Sequence, residues 1–468
     1  MSANASIWSP PLARLTFGLV LVVVATAFEA LAVATVLPTT TAELGGLAWY
    51  GWTFSAFMLA NLVGITVGGN ETDRDGPARP FVAGTILFAG GLVVSGLAPS
   101  MPVIVAGRAS QGFGGGLLSA VAYASIARAY AVGLRPRLLA TLSSAWVVPG
   151  LVGPGLAGVV AEHLGWRWVF LGLAPLPAFA AVLVVPALRA RSGAAAVTDA
   201  GAAARADASR RTRLAVQLAL GSTVALAAPG VHGAAASRTA VAGAFVAGGV
   251  AVLTGTAAGL AALGRLLPPG TLRARTGLPA AVATMTLLNF AFFGAEAFVP
   301  LAIVDVRGAG IMLNGMTLTA AALTWAAGAW MQVRLAERTP RTRVIVGGLA
   351  ILGLGLVGVA VLLAPSVPPW TAVAAWAVAG LGMGLAFTTC SAAILESAPA
   401  GQEGVASAAL QLAQVLGAAV ATGIGGAIVA APFAGVPPAR GIAVVDAVML
   451  AALLLAMATA RRVEERRG

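Results

Sequence analysis

The chain has 468 residues, of which 59% are hydrophobic and 9% are charged. Soluble domains carry about 25% charged residues, so the composition excludes an ordinary soluble domain. Apolar segments recur from one end to the other, which excludes a single-pass anchor, and they are too long for barrel strands of about 10 alternating residues. The sequence therefore predicts an all-α membrane protein that crosses the bilayer many times.

Fourteen membrane-spanning helices are predicted, because a spanning helix needs about 20 apolar residues. They cover residues 15–37, 49–69, 80–98, 103–126, 138–161, 167–188, 213–231, 239–262, 278–303, 313–333, 343–364, 369–394, 405–431 and 441–460. The seventh and eighth are rich in Ala and Gly, and a single re-entrant unit is the alternative interpretation for this pair. The longest loop, 189–212, is rich in Ala, Ser and Arg, which is typical of a flexible cytoplasmic linker.

The arginines indicate the topology. All 28 basic residues are arginines, and most of them fall in segments that are cytoplasmic if the N-terminus is cytoplasmic. This distribution follows the positive-inside rule, so the net charge of +12 is assigned to loops and no nucleic-acid partner is expected. The even number of helices places both termini in the cytoplasm. The Ala-, Gly- and Arg-rich composition is typical of a GC-rich bacterial gene, so we expect a multi-pass protein of the bacterial cytoplasmic (inner) membrane.

An internal repeat divides the chain. The matching segments, which have a nearly constant separation, are 61–74 with 325–338 and 112–128 with 380–396. Paired repeats around a site near the middle of the membrane are a transporter architecture. We therefore predict an N-terminal six-helix bundle over 1–188, a cytoplasmic linker with two inserted helices over 189–277, and a C-terminal six-helix bundle over 278–468.

The stretch GNETDRDGPAR (69–79) follows the second helix on the cytoplasmic side. Glycine permits a tight turn and a close helix approach, and Asp73 can pair with an arginine or cap a neighbouring helix. An ordinary charged loop is the alternative interpretation. The string resembles the signature G-x-x-x-D-R-x-G-x-x-R of the major facilitator superfamily, through Gly69, Asp73, Arg74, Gly76 and Arg79. The resemblance implies a charge latch that holds one gate state, and it is echoed in the second repeat by Glu337 and Arg338.

The stretch GRASQGFGGG (107–116) resembles the fourth-helix motif R-x-x-Q-G-x-G of the same superfamily. Arg108 and Gln111 are three residues apart and therefore share a helix face. An arginine between apolar residues needs a buried partner, and the resemblance implies that this arginine takes part in proton transfer with the first helix. An arginine that reaches the external interface is the alternative.

The stretch WVVPGLVGPGLAG (146–158) resembles the fifth-helix antiporter motif of the superfamily, through Gly150, Gly153, Pro154 and Gly158. Proline bends a helix by removing a backbone hydrogen bond, and glycine allows close packing. Such residues are also common in membrane helices generally. Together with the helix count and the first-helix string FEALAVATVLP, the resemblance implies the 14-helix drug:proton antiporter branch, of the bacterial multidrug efflux type, and favours export over uptake.

Glu29 and Glu296 match each other in the two repeats and lie deep in apolar helices. Glu29 is about 22 Å along a helix from Arg14, which is past the middle of a bilayer core about 30 Å thick. A carboxylate in the membrane is costly unless it is neutral or paired, so each acid can carry a proton or bind a cationic substrate. We predict Glu29 as the leading proton carrier, Glu296 as the second acid, and Arg108 with Gln111 as the pair that tunes them. A structural pairing of Glu29 with Arg108 is the alternative.

Polar and aromatic residues inside apolar helices are candidates for a substrate cavity. They are Asn61, Asn289, Phe293, Trp325, Gln332, Gln411 and Gln414. Helix packing is the alternative role for each of them. No cofactor, metal or enzymatic activity is expected, because an ATP-binding G-x-x-x-x-G-K-[ST] motif needs lysine and no metal or nucleophile cluster is visible in the sequence.

These features predict a monomeric, proton-coupled secondary transporter that exports amphipathic or drug-like small molecules by alternating access. The proton gradient supplies the energy, membrane lipid surrounds the protein, and antibiotic resistance is the expected phenotype. A dedicated exporter of one metabolite, antibiotic, lipid or sugar is the alternative within transport. A membrane sensor that transports nothing is the alternative outside it.

Overall fold

A computed structural model of the chain describes residues 6–131, 134–192, 209–210, 212–223, 254–255, 257–259, 261–262, 264–336, 338–397, 403–430 and 438–463. All regular elements within these ranges are helical. The structure describes 213–223 of the predicted seventh helix, which are helical, and 254–255, 257–259 and 261–262 of the predicted eighth. The rest of these two helices and most of the predicted linker 189–212 lie outside the described residues.

Eight helices correspond to the first six predicted spans. They are α1 (Pro10–Leu44), α2 (Tyr50–Asp75), α3 (Ala78–Gly96), α4 (Met101–Ala129), α5 (Arg135–Ser144), α6 (Val147–His163), α7 (Arg167–Leu173) and α8 (Pro175–Ser192). Six helices correspond to the last six predicted spans. They are α9 (Leu278–Glu296), α10 (Ile311–Ala336), α11 (Arg341–Leu362), α12 (Thr371–Glu396), α13 (Glu403–Ala430) and α14 (Pro438–Ala460).

Within the described ranges, 9 helical segments are long and apolar enough to cross a membrane. The chain is therefore a multi-pass membrane protein. The count of fourteen spans and the cytoplasmic location of both termini stay predictions.

Proline explains where the structure interrupts two predicted helices. The predicted fifth helix, 138–161, is broken at Ala145 between α5 and α6, and the predicted sixth is broken at Ala174. A proline ring clashes with the carbonyl group four residues earlier and offers no N–H to it. Pro149 acts in this way on Ala145, and Pro175 begins α8 directly after the second break. The predicted fifth helix is therefore split in two, whereas the predicted sixth lies within one helical segment long enough to cross a membrane, Arg167–Ala190.

The ninth helix also ends earlier than the sequence predicted. α9 stops at Glu296, and the chain continues through a short helical turn, Val299–Leu301, into a π-helix over Ala302–Val306. Pro300 cannot donate the hydrogen bond that would continue α9 through the carbonyl of Glu296. The regular α-helix therefore ends at Glu296, while the predicted span 278–303 lies within one helical segment long enough to cross a membrane, Leu278–Val306.

Two compact units make up the chain. Unit 1 contains Met1–Val36 and Leu59–Val216, and unit 2 contains Leu37–Met58 and Gln217–Gly468. The boundary between them falls inside α1 and again inside α2. The three-part division predicted from the sequence stays a prediction.

Glycine contacts confirm the internal repeat at the level of helix packing. In unit 1, a Cβ on Gly64 of α2 would clash with the carbonyl oxygen of Phe113 in α4. In unit 2, a Cβ on Gly328 of α10 would lie 2.5 Å from the carbonyl oxygen of Leu381 in α12. Both glycines and both carbonyls fall at matching positions of the repeated segments. Small residues let membrane helices approach closely, and the repeat keeps this approach in both units.

A second pair of helices repeats the same arrangement. A Cβ on Gly91 of α3 would lie 2.5 Å from the carbonyl oxygen of Gly107 in α4, and a Cβ on Gly355 of α11 would lie 2.7 Å from that of Ala375 in α12. The packing therefore aligns Gly107 with Ala375, and it extends the match between α4 and α12 towards their N-termini.

Candidate functional site

A buried ion pair joins α1 to α4 in unit 1. The carboxylate of Glu29 accepts from Nη1 of Arg108, and the two residues are 0% and 3% exposed. A charge in the membrane is tolerated when it is paired or neutral. The structure thus brings together two residues that were predicted as site residues, in the pairing that the sequence left as an alternative to a proton carrier.

Gln111 and Ser95 extend this pair. Nη1 of Arg108 donates to Oε1 of Gln111 at 2.5 Å, and Nε2 of Gln111 donates to Oγ of Ser95 in α3 at 3.0 Å. Gln111 and Ser95 are fully buried. The predicted shared helix face of Arg108 and Gln111 is confirmed. Sequence reasoning missed Ser95, for which the available signal was a hydroxyl in the apolar string GGLVVSG.

Gly91 creates the space that Gln111 fills. A Cβ at residue 91 would lie 2.7 Å from Cγ of Gln111 and 2.8 Å from its backbone nitrogen. Real Cβ atoms do not approach other atoms so closely at a packed helix contact. Gly91 therefore brings α3 close to α4 and also leaves room for the side chain of Gln111.

The antiporter-like string lies beside Glu29. Gly150, Gly153, Pro154 and Gly158 are all buried in α6. A Cβ on Gly153 would be in van der Waals contact, at 3.9 Å, with Cβ of Leu31 and with the ring of Phe28. These two residues flank Glu29 in α1. The structure therefore places the predicted motif against the helix segment that carries the acid.

Charged residues at the end of α2 form a surface cluster within unit 1. Oδ1 of Asp73 accepts from Nη2 of Arg128 at 2.7 Å, and Arg128 also donates to the carbonyl oxygen of Thr72 at 3.0 Å. Arg74 and Arg79 both lie near Asp75, at 3.7 Å and 4.0 Å. The predicted pairing of Asp73 with an arginine is confirmed, and its partner comes from the end of α4.

The two motif glycines have different roles. Gly76 has a φ of +84°, which only glycine adopts readily, so it makes the turn between α2 and α3. Gly69 has open space where a Cβ would be, so the expectation of close packing at this residue was wrong. Gly68 supplies that packing instead, with Cα of Leu117 at 3.0 Å from its Cβ position.

The echo of this loop in unit 2 lies beside a different ion pair. Glu337 lies outside the described residues, and Arg338 is exposed. The ion pair in this region joins Arg341, at the start of α11, to Glu396, at the end of α12. The repeat matches Glu396 with Arg128. The end of α4 in unit 1 therefore carries a base, and the matching end of α12 in unit 2 carries an acid.

Glu296 in unit 2 has a different environment from Glu29. It is half-buried at the end of α9, and within the described ranges no ion pair or hydrogen bond involves its carboxylate. Extending the match between 112–128 and 380–396 by four residues aligns Arg108 with Trp376. Glu296 therefore lacks the arginine partner that Glu29 has. Sequence reasoning missed this difference because the repeat was matched only from residue 380 onwards.

The matching position in unit 2 belongs to a connected group of five aromatic rings from three helices. We call Phe292, Phe293, Trp325, Trp376 and Phe387 the aromatic cluster. Phe292 stacks on Trp376, with ring centroids 5.1 Å apart and planes at 15°, and meets Trp325 edge-on at 5.3 Å. Trp325 in turn meets Phe387 at 5.4 Å. Two predicted cavity residues, Phe293 and Trp325, belong to this cluster.

The polar cavity candidates divide into separate groups. Nδ2 of Asn61 donates to the carbonyl oxygen of Gly112 at 3.3 Å, so Asn61 joins α2 to α4. Asn289 is buried on α9, where its Nδ2 donates to the carbonyl oxygen of Met285 at 2.8 Å. The remaining candidates are Gln332, Gln411 and Gln414. In the described part, no hydrogen bond joins them to the aromatic cluster. No group of acidic, His and Cys side chains among the described residues could hold a metal ion.

Comparison with known proteins identifies the family. The family model described as the Major Facilitator Superfamily matches residues 17–422 and 334–467. The chain belongs to the Major Facilitator Superfamily. The resemblance inferred from the sequence motifs is confirmed, and membership of this superfamily places the chain with transporters and not with enzymes.

Relatives of this superfamily member include proteins named for multidrug efflux. A "Probable multidrug-efflux transporter" of Mycobacterium tuberculosis is 36% identical over 154 residues, which are 33% of this chain and 33% of the relative. Multidrug resistance protein 3 of Bacillus subtilis is 27% identical over 168 residues, which are 36% of this chain and 33% of the relative. An "Uncharacterized MFS-type transporter" of Mycobacterium tuberculosis is 27% identical over 399 residues, which are 84% of this chain and 56% of the relative. The chain spans between a third and about half of the length of these relatives.

Solved superfamily structures show the same fold. A POT family peptide transporter in an autoinhibited form is 16% identical, with a TM-score of 0.65, and the match covers 97% of this chain and 98% of that one. The human organic anion transporter MFSD10 is 14% identical, with a TM-score of 0.58, and the match covers 97% of this chain and 100% of that one. At these identities the likeness extends to the fold alone.

Proposed function

We propose that this protein is a proton-coupled antiporter that exports amphipathic, drug-like small molecules, with Glu29 as the proton carrier. The observation that carries the proposal is the buried network of Glu29, Arg108, Gln111 and Ser95. The family supplies the transport scaffold, and the names of the relatives support drug-like cargo.

The network offers two electrically distinct states. With Glu29 ionised, its charge and that of Arg108 cancel, and a buried ion pair is tolerated because each charge has its partner. When Glu29 takes up a proton, the guanidinium loses that partner but keeps the carbonyl oxygen of Gln111 at 2.5 Å. Hydrogen bonds to a charged group are among the stronger ones in proteins. Gln111, anchored by Ser95, therefore holds Arg108 in place while the proton is carried.

Export is favoured by the position of α6. Its buried glycines and Pro154 lie against the segment of α1 that contains Glu29, so a bend or shift of α6 would change the access of water to the acid. We further propose transport by alternating access, a monomer of fourteen spans with both termini in the cytoplasm, and a location in the bacterial cytoplasmic membrane. The sources of the bacterial relatives support that location.

The test is substrate-induced proton movement across proteoliposomes that contain the full chain. A panel of cationic and neutral amphipathic compounds is added, and wild type is compared with Glu29→Gln. The expected result is loss of gradient-driven transport in Glu29→Gln, because the neutral amide cannot exchange a proton. Glu162→Gln is the matched control, since this glutamate is exposed at the end of α6.

Full gradient-driven transport by Glu29→Gln would show that another group carries the proton. If no compound of the panel moves protons in the wild-type protein, the drug-export proposal gives way to a dedicated exporter.

A further inference from the structure

The two units differ at the same place in the repeat. In unit 1, Glu29 has Arg108 as its buried partner. In unit 2, the matching acid is Glu296, and the position that matches Arg108 holds Trp376. The fold has thus kept the acid in both units and replaced its cation in unit 2 by an aromatic ring.

Other charged groups of unit 2 do not supply the missing cation. Arg307, the next arginine along the chain after Glu296, donates to carbonyl oxygens between α11 and α12 at 2.5 Å and 2.6 Å. Asp446 of α14 is also buried, and its Oδ2 has no hydrogen-bond partner among the described residues. Asp446 lies one turn before Met449, which meets α9 at Gly294. Arg307, the next arginine along the chain, is therefore held by backbone carbonyls and forms no ion pair with Glu296 among the described residues.

Glu296 and the aromatic cluster share one face of α9. Three side chains follow Asn289 on α9 after three, four and seven residues, and they are Phe292, Phe293 and Glu296. Residues at this spacing point to the same side of an α-helix. Around the helix axis, Glu296 falls between the two phenylalanines and lies about one turn beyond them. A single rigid helix thus sets the distance between the carboxylate and the rings.

The aromatic cluster has a buried floor and a more accessible rim. Phe292 and Trp376 are fully buried, whereas Phe293, Trp325 and Phe387 are only half-buried. The faces of aromatic rings attract cations, and they also stack on flat aromatic molecules. The rim can therefore contact a bound molecule while the floor keeps the rim side chains in position.

Two buried polar atoms of this region have no partner within the described ranges. They are Oδ1 of Asn289 and Nε1 of Trp376, and both side chains are 0% exposed. Buried polar atoms in proteins almost always have a hydrogen-bond partner. Trp376 belongs to the aromatic cluster, and Asn289 lies one turn before Phe293 on α9, so a molecule that enters between the rim side chains can supply the missing partners.

We propose that Glu296 and the aromatic cluster form the binding site for a flat aromatic cation, so that in unit 2 the cargo occupies the role that Arg108 has in unit 1. The proposal rests on the proposed export function for its physiological meaning, and it separates the tasks of the two acids. Glu29 carries the proton because its counter-ion belongs to the protein. Glu296 binds the cargo because its counter-ion does not.

Equilibrium binding to the purified full chain in detergent micelles tests this site without a proton gradient. The probes are ethidium, a flat aromatic cation, and phenanthridine, which has the same ring system without the permanent charge. Glu296→Gln should weaken ethidium binding about tenfold or more and leave phenanthridine binding unchanged, because the amide keeps the shape and removes the charge. Glu162→Gln, which removes an exposed carboxylate outside the site, should bind ethidium within about twofold of wild type.

Aromatic variants test the rim. Phe293→Leu and Trp325→Leu should each weaken the binding of both probes several-fold. Trp330→Leu is the matched control, since Trp330 lies on the same helix as Trp325 but is 78% exposed, and it should leave both affinities unchanged. A monodisperse elution profile and an unaltered melting temperature show that each variant is folded.

The outcomes separate this proposal from the proposed function. Wild-type affinity for ethidium in Glu296→Gln, or no ethidium binding above that of empty micelles in the wild-type protein, overturns the site. A loss of ethidium binding in Glu29→Gln instead of Glu296→Gln overturns the division of tasks. Gradient-driven transport that persists in Glu29→Gln overturns the proton assignment and leaves the binding result as it stands.

Discussion

Units 1 and 2 have the same helix packing and different polar interiors. Gly64 and Gly328 bring matching helices into backbone contact, and Gly91 and Gly355 do so for the next pair. At the position of Arg108, however, unit 2 has Trp376. Backbone contact leaves no room for any other side chain, whereas a buried side chain can be exchanged if its neighbours change with it. The repeat therefore preserves the scaffold and lets each unit acquire its own chemistry.

The largest effect is expected from removing the arginine of unit 1. Arg108→Ala should lower the free energy of unfolding by about 3–5 kcal/mol, because it leaves the carboxylate of Glu29 buried without a partner. Equilibrium unfolding in mixed micelles measures this change. The double variant Glu29→Gln with Arg108→Gln removes both charges and should recover most of the loss. Equal instability of the single and double variants would contradict the ion pair as the cause.

An intermediate effect is expected from the glycine contacts that the units share. Gly64→Ala and Gly328→Ala should each destabilise the protein by about 1–3 kcal/mol, because the added methyl group meets a carbonyl oxygen of the facing helix. Gly69→Ala and Gly347→Ala are matched controls with open space at the Cβ position. These controls should be neutral or stabilising by up to about 1 kcal/mol, since alanine favours the helix.

The sign of the change distinguishes packing from helix propensity in this glycine series. Equilibrium unfolding in mixed micelles measures the free energy of unfolding of all four glycine variants under the same condition. If Gly328→Ala behaves like Gly347→Ala, the contact between α10 and α12 is looser than its counterpart in unit 1, and the shared scaffold does not hold at that point.

The smallest effect is expected at the two surface ion pairs, Asp73 with Arg128 in unit 1 and Arg341 with Glu396 in unit 2. Asp73→Asn and Glu396→Gln each remove the acid from one pair and should change the free energy of unfolding by less than about 1 kcal/mol. The carboxylates concerned are 74% and 59% exposed, so water and salt screen both pairs. Unfolding at low and high salt measures the effect, and a loss that persists at high salt in one unit would show that its pair is structural.

Much of the fold follows from the sequence because apolar length and small-residue spacing are local properties. The repeat and the shared face of Arg108 and Gln111 both depend on residues a few positions apart or on matched strings. The breaks at Ala145 and Glu296 depend on proline four residues downstream, and that rule was available in the sequence but was not applied.

The missing parts of the site depend on contacts between helices that are distant in the chain. Ser95 reaches Gln111 because two glycines bring α3 against α4. Trp376 meets Phe292 because α9 and α12 pack together, although the two residues are far apart in sequence. No string in either helix identifies its neighbour, so the sequence could propose Phe293 and Trp325 one by one but could not assemble them into a cluster.

The early end of α9 has an electrostatic consequence. Peptide dipoles align along a helix and leave about half a negative charge at its C-terminus, over the last turn of carbonyl groups. Glu296 occupies the final residue of α9, and Pro300 has no N–H to offer to its carbonyl oxygen. The dipole of the helix therefore adds to the field of the carboxylate instead of opposing it, and the end of α9 becomes a negative pole that is most stable when a positive charge lies beside it.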